Sequence, residues 1–403
     1  MRTWVLLPLL LVSCSDADAE TPATETDAAS EAAEPADASS DGLADSPVTP
    51  DTAADAFVPP DTAGPATVPY VYLGCGNGDI EQYTWDAAAG VLAFKAKFAG
   101  GNNPSFLAVD PSRRFLYAVN EGSSQVAAFS IAKDTGALTL LNRVSSEGSG
   151  PAFVSVDGSG KYVLVANYGG GTVAVFPIGS DGKLGAKVSG DSPGPKAHSI
   201  LTDPSNRFAY VPTLGADAVF QYAFDPTKGS LTALSPNKIA SAGGAGPRHI
   251  AFAPSGAFAY VANELNDTVT AYAIDATKGT LSSLQSLSSL PSGFDPSKNS
   301  GADVHVRPDG KTLYASNRGH NSIAIFAIGA DGKLGAPKHE PTGGGTPRNF
   351  HVDPSGNTLL VANQASGNVV TFAIDGTGGL TKLKTNPTCS APAYVGVVLV
   401  PKG

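Results

Sequence analysis

The sequence predicts an all-β fold, a seven-bladed β-propeller built from four-stranded antiparallel blades. The main observation is a repeat that begins at Val68 and recurs every 46 to 54 residues. Each unit has two apolar strands, joined by an Asp-Pro or Ser-Gly turn, and then two shorter strand patterns. A period of this length is typical of propeller blades. The composition also favours an all-β propeller, because 46 Gly, 31 Pro and only 15% charged residues are typical of a chain with many turns and few long helices.

The two ends of the repeat region complement each other. The first unit holds only three strands, whereas the last unit is followed by an extra strand at Ala393–Val400. We expect this C-terminal strand to complete blade 1, because closure of the ring removes exposed sheet edges. Cys75, which we align with Glu264 of blade 5, and Cys389 flank this junction. They are candidates for a disulfide that locks the ring, with a free thiol at Cys389 as the alternative.

The N-terminal 66 residues lack the repeat. Residues 1–13 form a short apolar leader, and Leu11-Val12-Ser13-Cys14 resembles a bacterial lipobox. We therefore expect a lipoprotein signal peptide and a lipid-modified Cys14, with an ordinary signal peptide as the alternative. Residues 14–66 have no apolar period, which predicts a disordered acidic tether before the propeller domain at 67–403. The expected location is the bacterial cell envelope. Ser15 favours the outer membrane, with the lipid as the only membrane contact.

The net charge of −10 originates in this tether. It carries 13 acidic residues and no Lys or Arg, and without them and Arg2 the chain has 23 acidic and 25 basic residues. The repeat region is thus nearly neutral, and we predict no nucleic-acid partner. A monomer that binds a small molecule is expected.

Comparison of the repeats with one another isolates a candidate site. We label the strands of a blade A (innermost) to D (outermost). Strand B ends in a column that we interpret as turn residues tolerant of left-handed backbone: Asn120, Asn167, Thr213, Asn263, Asn317 and Asn363. Charged residues interrupt two slots, the first of strand A and the one after this column: His198, Arg248 and Arg348 in the former, Glu121, Glu264 and Arg318 in the latter.

Antiparallel pairing places the start of strand A and the end of strand B at one edge of the blade. We therefore expect these side chains to surround one mouth of the central channel. A propeller does not need such charges in order to fold, so they indicate a site for a polar small molecule.

Several segments resemble the seven-bladed lactonase family, which includes the propeller-type 6-phosphogluconolactonases and the fungal carboxy-muconate cyclase. They are Pro-Arg-His at 247–249, Asn-Glu-Leu at 263–265 and Ser-Asn-Arg-Gly at 316–319, and the likeness covers Tyr70 to Cys389. The resemblance implies an enzyme that hydrolyses a sugar or sugar-acid lactone. It places the family's proposed active-site residues on His198, Arg248, Glu264 and Arg318.

Hydrolysis of a lactone needs a base for the attacking water and donors for the oxyanion. We expect Glu264 to be the base, with His198 as an alternative base or proton shuttle. Arg248 and Arg318 can hold the oxyanion, or a substrate carboxylate or phosphate. The competing interpretation is that Arg248 and Glu264 form a structural ion pair within the blade 5 hairpin.

The candidate substrate-binding residues are Arg348, His249, Lys196 and Glu121. Lys196 stands where the family usually has His. A buried, hydrogen-bonded role is the simpler interpretation for His249, as it is for His305 and His351. No cofactor or metal is expected, because no two His lie at ligand spacing beside a clustered carboxylate.

Two other functions remain open. A cycloisomerase that forms or opens a muconate-type lactone would use the same residues. A non-catalytic surface scaffold, resembling the Tyr-Val-Thr-Asn repeat proteins, would suit a lipid anchor and a long tether. The charged rim favours the two enzymes, since a scaffold has no need of it.

Overall fold

The computed structural model describes residues 66–403, which form a ring of seven four-stranded antiparallel sheets. The predicted fold is confirmed. The proposed signal peptide, the lipidated Cys14 and the tether up to residue 65 lie outside the described residues. Within residues 66–403, no helix has the length and apolar character needed to cross a membrane.

Each blade runs from strand A at the channel to strand D at the outside. The first four blades are β28 (Pro392–Pro401), β1 (Thr67–Cys75), β2 (Asp79–Asp86) and β3 (Val91–Ala99); β4 (Pro104–Val109), β5 (Phe115–Asn120), β6 (Gln125–Ile131) and β7 (Leu138–Ser145); β8 (Pro151–Val156), β9 (Tyr162–Asn167), β10 (Thr172–Pro177) and β11 (Ser189–Asp191); and β12 (Leu201–Thr202), β13 (Phe208–Thr213), β14 (Ala218–Asp225) and β15 (Ser230–Ala240).

The last three blades follow the same order. They comprise β16 (Pro247–Phe252), β17 (Phe258–Asn263), β18 (Thr268–Ile274) and β19 (Leu281–Ser288); β20 (Ser300–Val306), β21 (Thr312–Arg318), β22 (Ser322–Ala327) and β23 (Lys338–Pro341); and β24 (Pro347–Val352), β25 (Thr358–Asn363), β26 (Asn368–Ile374) and β27 (Leu380–Pro387). Short 3-10 turns span Glu121–Ser123, Leu214–Ala216, Pro296–Lys298 and Gln364–Ser366.

The hydrophobic core is divided among the interfaces between neighbouring blades. At the interface of blades 7 and 1, for example, Leu360 and Val369 pack with Val71 and Leu73. Each sheet is therefore covered on both faces, which explains why strands B and C read as continuous apolar runs instead of alternating.

A repeated hydrogen bond joins adjacent blades. Tyr260 in strand B of blade 5 donates its hydroxyl to the carbonyl of Gly332, in the C–D turn of blade 6, at 3.1 Å. Burial raises the pKa of Tyr260 to about 12, so the phenol remains a donor. Gly332 has a φ of +77°, and a Cβ there would lie 2.3 Å from the ring of Phe258, so only glycine fits. The same Tyr-to-Gly bond is made by Tyr72, Tyr117, Tyr210 and Tyr314.

The Asn column does not have the predicted left-handed backbone. Asn120 and Asn363 have φ values of −109° and −90°, and the left-handed residue lies four positions later, at Ser124 and Gly367. The amides instead tie loops together; that of Asn363, for instance, donates to the carbonyl of Thr342 at 3.2 Å. The column thus closes the end of the B strand through side-chain hydrogen bonds.

Blade 4 departs from the regular A strand that the repeat predicts to begin near His198. Its innermost strand, β12, is reduced to Leu201–Thr202. The cause lies in the neighbouring β13, where Pro212 occupies the position of Ala262 in blade 5. Proline has no N–H to donate across the ladder. His198 keeps one bond, from its N–H to the Pro212 carbonyl at 3.0 Å, and so stays at the mouth.

Strand β28 closes the ring by pairing antiparallel with β1 along its whole length. Cys75 and Cys389 form a disulfide at this junction, with their Cα atoms 6.1 Å apart. One alignment was wrong: Cys75 is the last residue of β1 and pairs with Pro392, so it belongs to the Asn column and not to the column of Glu264. Strands A and B of blade 1 are not joined by a turn, which removes the Asp-Pro marker used to align the other blades.

Removing this disulfide should destabilise the ring. The bond spans 314 residues, and loss of such a closure typically lowers the free energy of unfolding by about 2–5 kcal/mol. We expect that loss for the double variant Cys75→Ala/Cys389→Ala in denaturant unfolding. The parent unfolded with reductant is the matched control and should lose the same amount. An undiminished stability in both samples would show that closure depends on strand pairing alone.

Candidate active site

A β-bulge at the start of the inner strands directs one side chain towards the mouth of the channel. In blade 5, Pro247 pairs with Asn263 and His249 with Ala262, so that Arg248 is the extra residue. The same irregularity occurs at Ser105, Ala152 and Arg348. Because a bulge bends its strand and re-aims the side chain, this slot can carry a charge without disturbing the ladder.

Glu264 lies at the centre of a cluster of charges. Its Oε2 lies 2.9 Å from Nε of Arg248, and its Oε1 lies 3.2 Å from Nη2 of Arg318. The same Oε2 is 3.9 Å from Nε2 of His198. The structure thus brings the four predicted catalytic residues together from blades 4, 5 and 6. Glu264 has the most exposed side chain of the four, at 19%, against 2% for Arg248.

Backbone carbonyls fix both guanidinium groups. Arg248 Nη1 donates to the carbonyl of Ala302 at 2.7 Å, and Arg318 Nη2 donates to that of Gly301 at 2.8 Å. Other polar atoms remain unused: Nε of Arg318 and Nδ1 of His198 are buried without a hydrogen-bond partner among residues 66–403. Buried polar atoms without partners cost free energy, which points to a site prepared for a ligand.

The cluster also sets the protonation states. Burial alone would raise the pKa of the Glu264 carboxyl, but the guanidinium groups of Arg248 and Arg318 outweigh it and hold that pKa below its usual range. Burial, followed by the charge of Arg248, lowers the pKa of the His198 imidazole well below 6.5. Burial and the charge of Arg318 lower the pKa of Arg248 to about 9. At neutral pH the site therefore holds a carboxylate, a neutral imidazole and cationic guanidinium groups.

Arg348 adds a third cation to the mouth. It is the partly exposed bulge residue of blade 7, and no carboxylate among residues 66–403 lies within 4.0 Å of it. Burial lowers its pKa, and the charge of Glu121 acts in the opposite direction. Glu121 itself accepts a hydrogen bond from Asn103 Nδ2 at 3.2 Å. Three guanidinium groups and two carboxylates thus occupy the rim, which favours an anionic ligand.

The other two substrate-binding candidates, Lys196 and His249, lie beside the cluster and beneath it. Lys196 is exposed, and its Nζ lies 5.9 Å from the centre of the Tyr168 ring, which in turn packs edge-on against His198. Lys196 therefore borders the site from blade 4. His249 is only 3% exposed and lies beneath the rim, where its Nδ1 is 2.7 Å from Oδ1 of Asp303. This placement fits the hydrogen-bonded role and not direct contact with a substrate at the rim.

Asp303 is a residue that the repeat comparison missed. It belongs to the column immediately after the bulge, which holds aromatic residues in blades 1 to 3 and polar residues in blades 4 to 7: Tyr394, Phe106, Phe153, Ser199, His249, Asp303 and Asn349. The carboxylate was visible in the segment Gly-Ala-Asp-Val-His-Val at 301–306. Extending the comparison by one position would have found it.

Fold and site together define a class of protein. A carboxylate, a neutral imidazole and guanidinium groups around one mouth are the groups that hydrolysis of an activated ester requires. Fold and site are therefore those expected of a propeller-type hydrolase.

Comparison with known proteins identifies the family. Residues 70–397 match the family described as "Lactonase, 7-bladed beta-propeller", and the chain belongs to it. The 6-phosphogluconolactonase of Bacillus subtilis (strain 168) is 34% identical over 292 residues, which are 69% of this chain and 82% of that one. The 6-phosphogluconolactonase of Klebsiella pneumoniae (strain 342) is 34% identical over 237 residues, or 59% and 70% of the two chains.

A solved structure of a gluconolactonase has the same fold. The periplasmic gluconolactonase of Pseudomonas aeruginosa superposes with a TM-score of 0.76 at 29% identity, covering 83% of this chain and 100% of its own. The expected resemblance to the lactonase family, and with it the expectation of a lactonase-type enzyme, is confirmed.

Proposed function

We propose that this protein hydrolyses a sugar or sugar-acid lactone at the charged mouth of the channel. The observation that carries the proposal is the Glu264 carboxylate held between Arg248 and Arg318 in a member of the lactonase family. The relatives named 6-phosphogluconolactonase and gluconolactonase support a sugar lactone. They favour hydrolysis over the muconate-type cycloisomerase and over the surface scaffold.

The groups at the mouth fit the steps of lactone opening. Glu264 accepts a proton from water as the water oxygen adds to the ring carbonyl. Arg248 and Arg318 donate N–H bonds to the oxyanion that forms. The bond between the carbonyl carbon and the ring oxygen then breaks, and the ring oxygen takes up a proton, from Glu264 or through His198, to leave as a hydroxyl.

The lowered pKa of Glu264 weakens it as a base only while the positive charges of Arg248 and Arg318 stabilise the carboxylate. When the substrate oxyanion pairs with Arg248 and Arg318, their positive charge is partly neutralised. The basicity of Glu264 then rises at the moment when it has to accept the proton. The carboxylate stays ionised below the usual pKa of glutamate, so activity should persist into mildly acidic solution and fall only as the pH passes through that lowered pKa.

Arg348 supplies a place for an anionic substituent of the substrate. Its guanidinium can bind a carboxylate or a phosphate through two parallel hydrogen bonds. Glu121 and Lys196 border the same rim and would contact hydroxyl groups of the open or closed sugar. A lactone that carries a phosphate or a second acid group is therefore the favoured substrate.

The substitution Glu264→Gln tests the role of the base. It keeps the shape and removes the basic oxygen, so kcat should fall by about 10²–10⁴-fold on the best substrate while KM and the melting temperature change little. Turnover should be measured on a panel of δ- and γ-lactones with and without phosphate. Glu340→Gln, the same change in the outer strand β23, is the matched control and should retain parental turnover.

The structural-pair interpretation gives a different pattern for the same variant. Glu264→Gln would then lower the melting temperature and leave the turnover of each folded molecule unchanged. A parent that opens none of the lactones would contradict the proposed hydrolysis and favour the scaffold.

We also propose that the chain is exported and anchored to the cell envelope by a lipid on Cys14. The leader and lipobox at residues 1–14 support this location, as does the Cys75–Cys389 disulfide, since disulfides persist in oxidising compartments. The P. aeruginosa neighbour is itself described as periplasmic.

Metabolic labelling with a radioactive fatty acid tests the anchor. The parent and the Cys389→Ala control should take up label and sediment with the outer-membrane fraction, whereas Cys14→Ala should lose the label. An unlabelled parent, or a labelled Cys14→Ala variant, would contradict the assignment.

A further inference from the structure

Beneath the charged mouth, the channel contains a polar network that the proposed mechanism does not use. Its centre is Asp303, which is 3% exposed. Oδ1 of Asp303 lies 2.7 Å from Nδ1 of His249, and Oδ2 lies 3.1 Å from Nε2 of His305. Asn349 Nδ2 donates to the same Oδ2 at 2.6 Å, and the backbone N–H of Asp303 donates to Oγ of Ser316 at 3.0 Å. The carboxylate is thus fixed from several sides.

His249 connects this carboxylate to the charged cluster. Burial would raise the pKa of Asp303, but the neighbouring His305 and His249 outweigh it and hold that pKa well below its usual range, so the group is ionised. Nδ1 of His249 then carries the proton that is donated to Asp303, and Nε2 keeps its lone pair. Nη1 of Arg248 lies 3.2 Å from that Nε2 and 3.4 Å from Nδ1, so the guanidinium is close to both ring nitrogens and only Nε2 can accept a hydrogen bond from it.

Two acceptors therefore hold Arg248 in addition to its ion pair with Glu264. Its Nη1 reaches both His249 Nε2 and the carbonyl of Ala302. Three other rings surround that of His249 edge-on: Phe106, Phe153 and His198 lie 5.7, 5.2 and 5.1 Å from it between ring centres. The position of the guanidinium thus depends on which nitrogen of His249 carries the proton, and Asp303 decides that.

We propose that Asp303 is a positioning residue for hydrolysis: through His249, it holds the guanidinium of Arg248 in place beside Glu264. This role rests on the proposed function of the mouth. The substitution Asp303→Asn would leave His249 without the carboxylate that selects its tautomer, and Nε2 would no longer be a fixed acceptor for Arg248. Loss of such outer contacts misplaces the groups that touch the substrate.

A double-mutant cycle on kcat/KM tests the connection. Asp303→Asn should lower kcat/KM by about 10²-fold, the usual cost of a small misplacement of a catalytic group. In an Arg248→Ala background the same substitution should cause no further loss, because Asp303 acts through Arg248. His305→Gln is the matched control: it alters the partner of Oδ2, leaves the contact of Oδ1 with His249, and should retain parental turnover.

A purely structural carboxylate would give the opposite results. Asp303→Asn would lower the melting temperature but leave the turnover of each folded molecule unchanged, or the losses from Asp303→Asn and Arg248→Ala would multiply; either outcome overturns the proposal. If Asp303→Asn does not fold, His249→Phe removes both bonds with a ring that suits the aromatic surroundings. His249→Phe should lower kcat/KM to the same extent and should cause no further loss in the Arg248→Ala background. Parental turnover in His249→Phe would overturn the proposal.

The tautomer of His249 provides a measurement that does not depend on turnover. Nitrogen-15 NMR of the parent should show the proton on Nδ1 of His249, and the signals of this ring should shift in Asp303→Asn. If Asp303→Asn does not fold, the loss of these signals in His249→Phe identifies them. A proton on Nε2 in the parent overturns the positioning role. An inactive parent whose His249 carries the proton on Nδ1 would instead show that the proposed substrate class, and not this contact, is wrong.

Discussion

The mouth exists only because strand β28 closes the ring. Its antiparallel pairing with β1 joins the two ends of the repeat region, and the Cys75–Cys389 disulfide spans the same junction. Closure curves seven similar sheets around one axis, so that the first residues of the inner strands face each other across a narrow channel. Residues separated by more than 200 positions, such as Glu121 and Arg348, thereby share one rim.

The charges at this rim are a cost to folding. Burial of a guanidinium is unfavourable unless partners compensate for the lost hydration, and a buried ion pair is weak evidence for stability. The equivalent slots at Ser105, Ala152 and Ala302 show that a small side chain is compatible with the same bulged strand. The cluster around Glu264 is therefore better explained by chemistry than by a need of the fold.

The carboxylate and guanidinium groups are mutually dependent. Glu264 compensates for the charge of Arg248 and Arg318, and Asp303 supports Arg248 from below through His249. Of the three guanidinium groups at the mouth, that of Arg348 is the one without a carboxylate within 4.0 Å among residues 66–403, so it can pair with a ligand. An anion that enters the mouth would complete a set of interactions that the protein alone does not satisfy.

Much of the fold and part of the site could be predicted from the repeats. Blade number, ring closure and the convergence of Arg248, Glu264 and Arg318 follow from period and antiparallel pairing. The shortened β12 could not be predicted in this way, because it depends on the missing N–H of Pro212 in the adjacent strand. The burial of His249 was predicted, but Asp303 was missed because it lies one position beyond the compared slot, where the bulge sets the direction of the side chain.

The most direct test of this account is a crystal structure of Glu264→Gln with a sugar lactone or its aldonate product bound. The account places the lactone carbonyl, or the product carboxylate, within hydrogen-bond distance of Arg248 and Arg318, with an anionic substituent on Arg348. A ligand bound elsewhere on the propeller, with the mouth unoccupied by it, would contradict the assignment of this cluster as the active site.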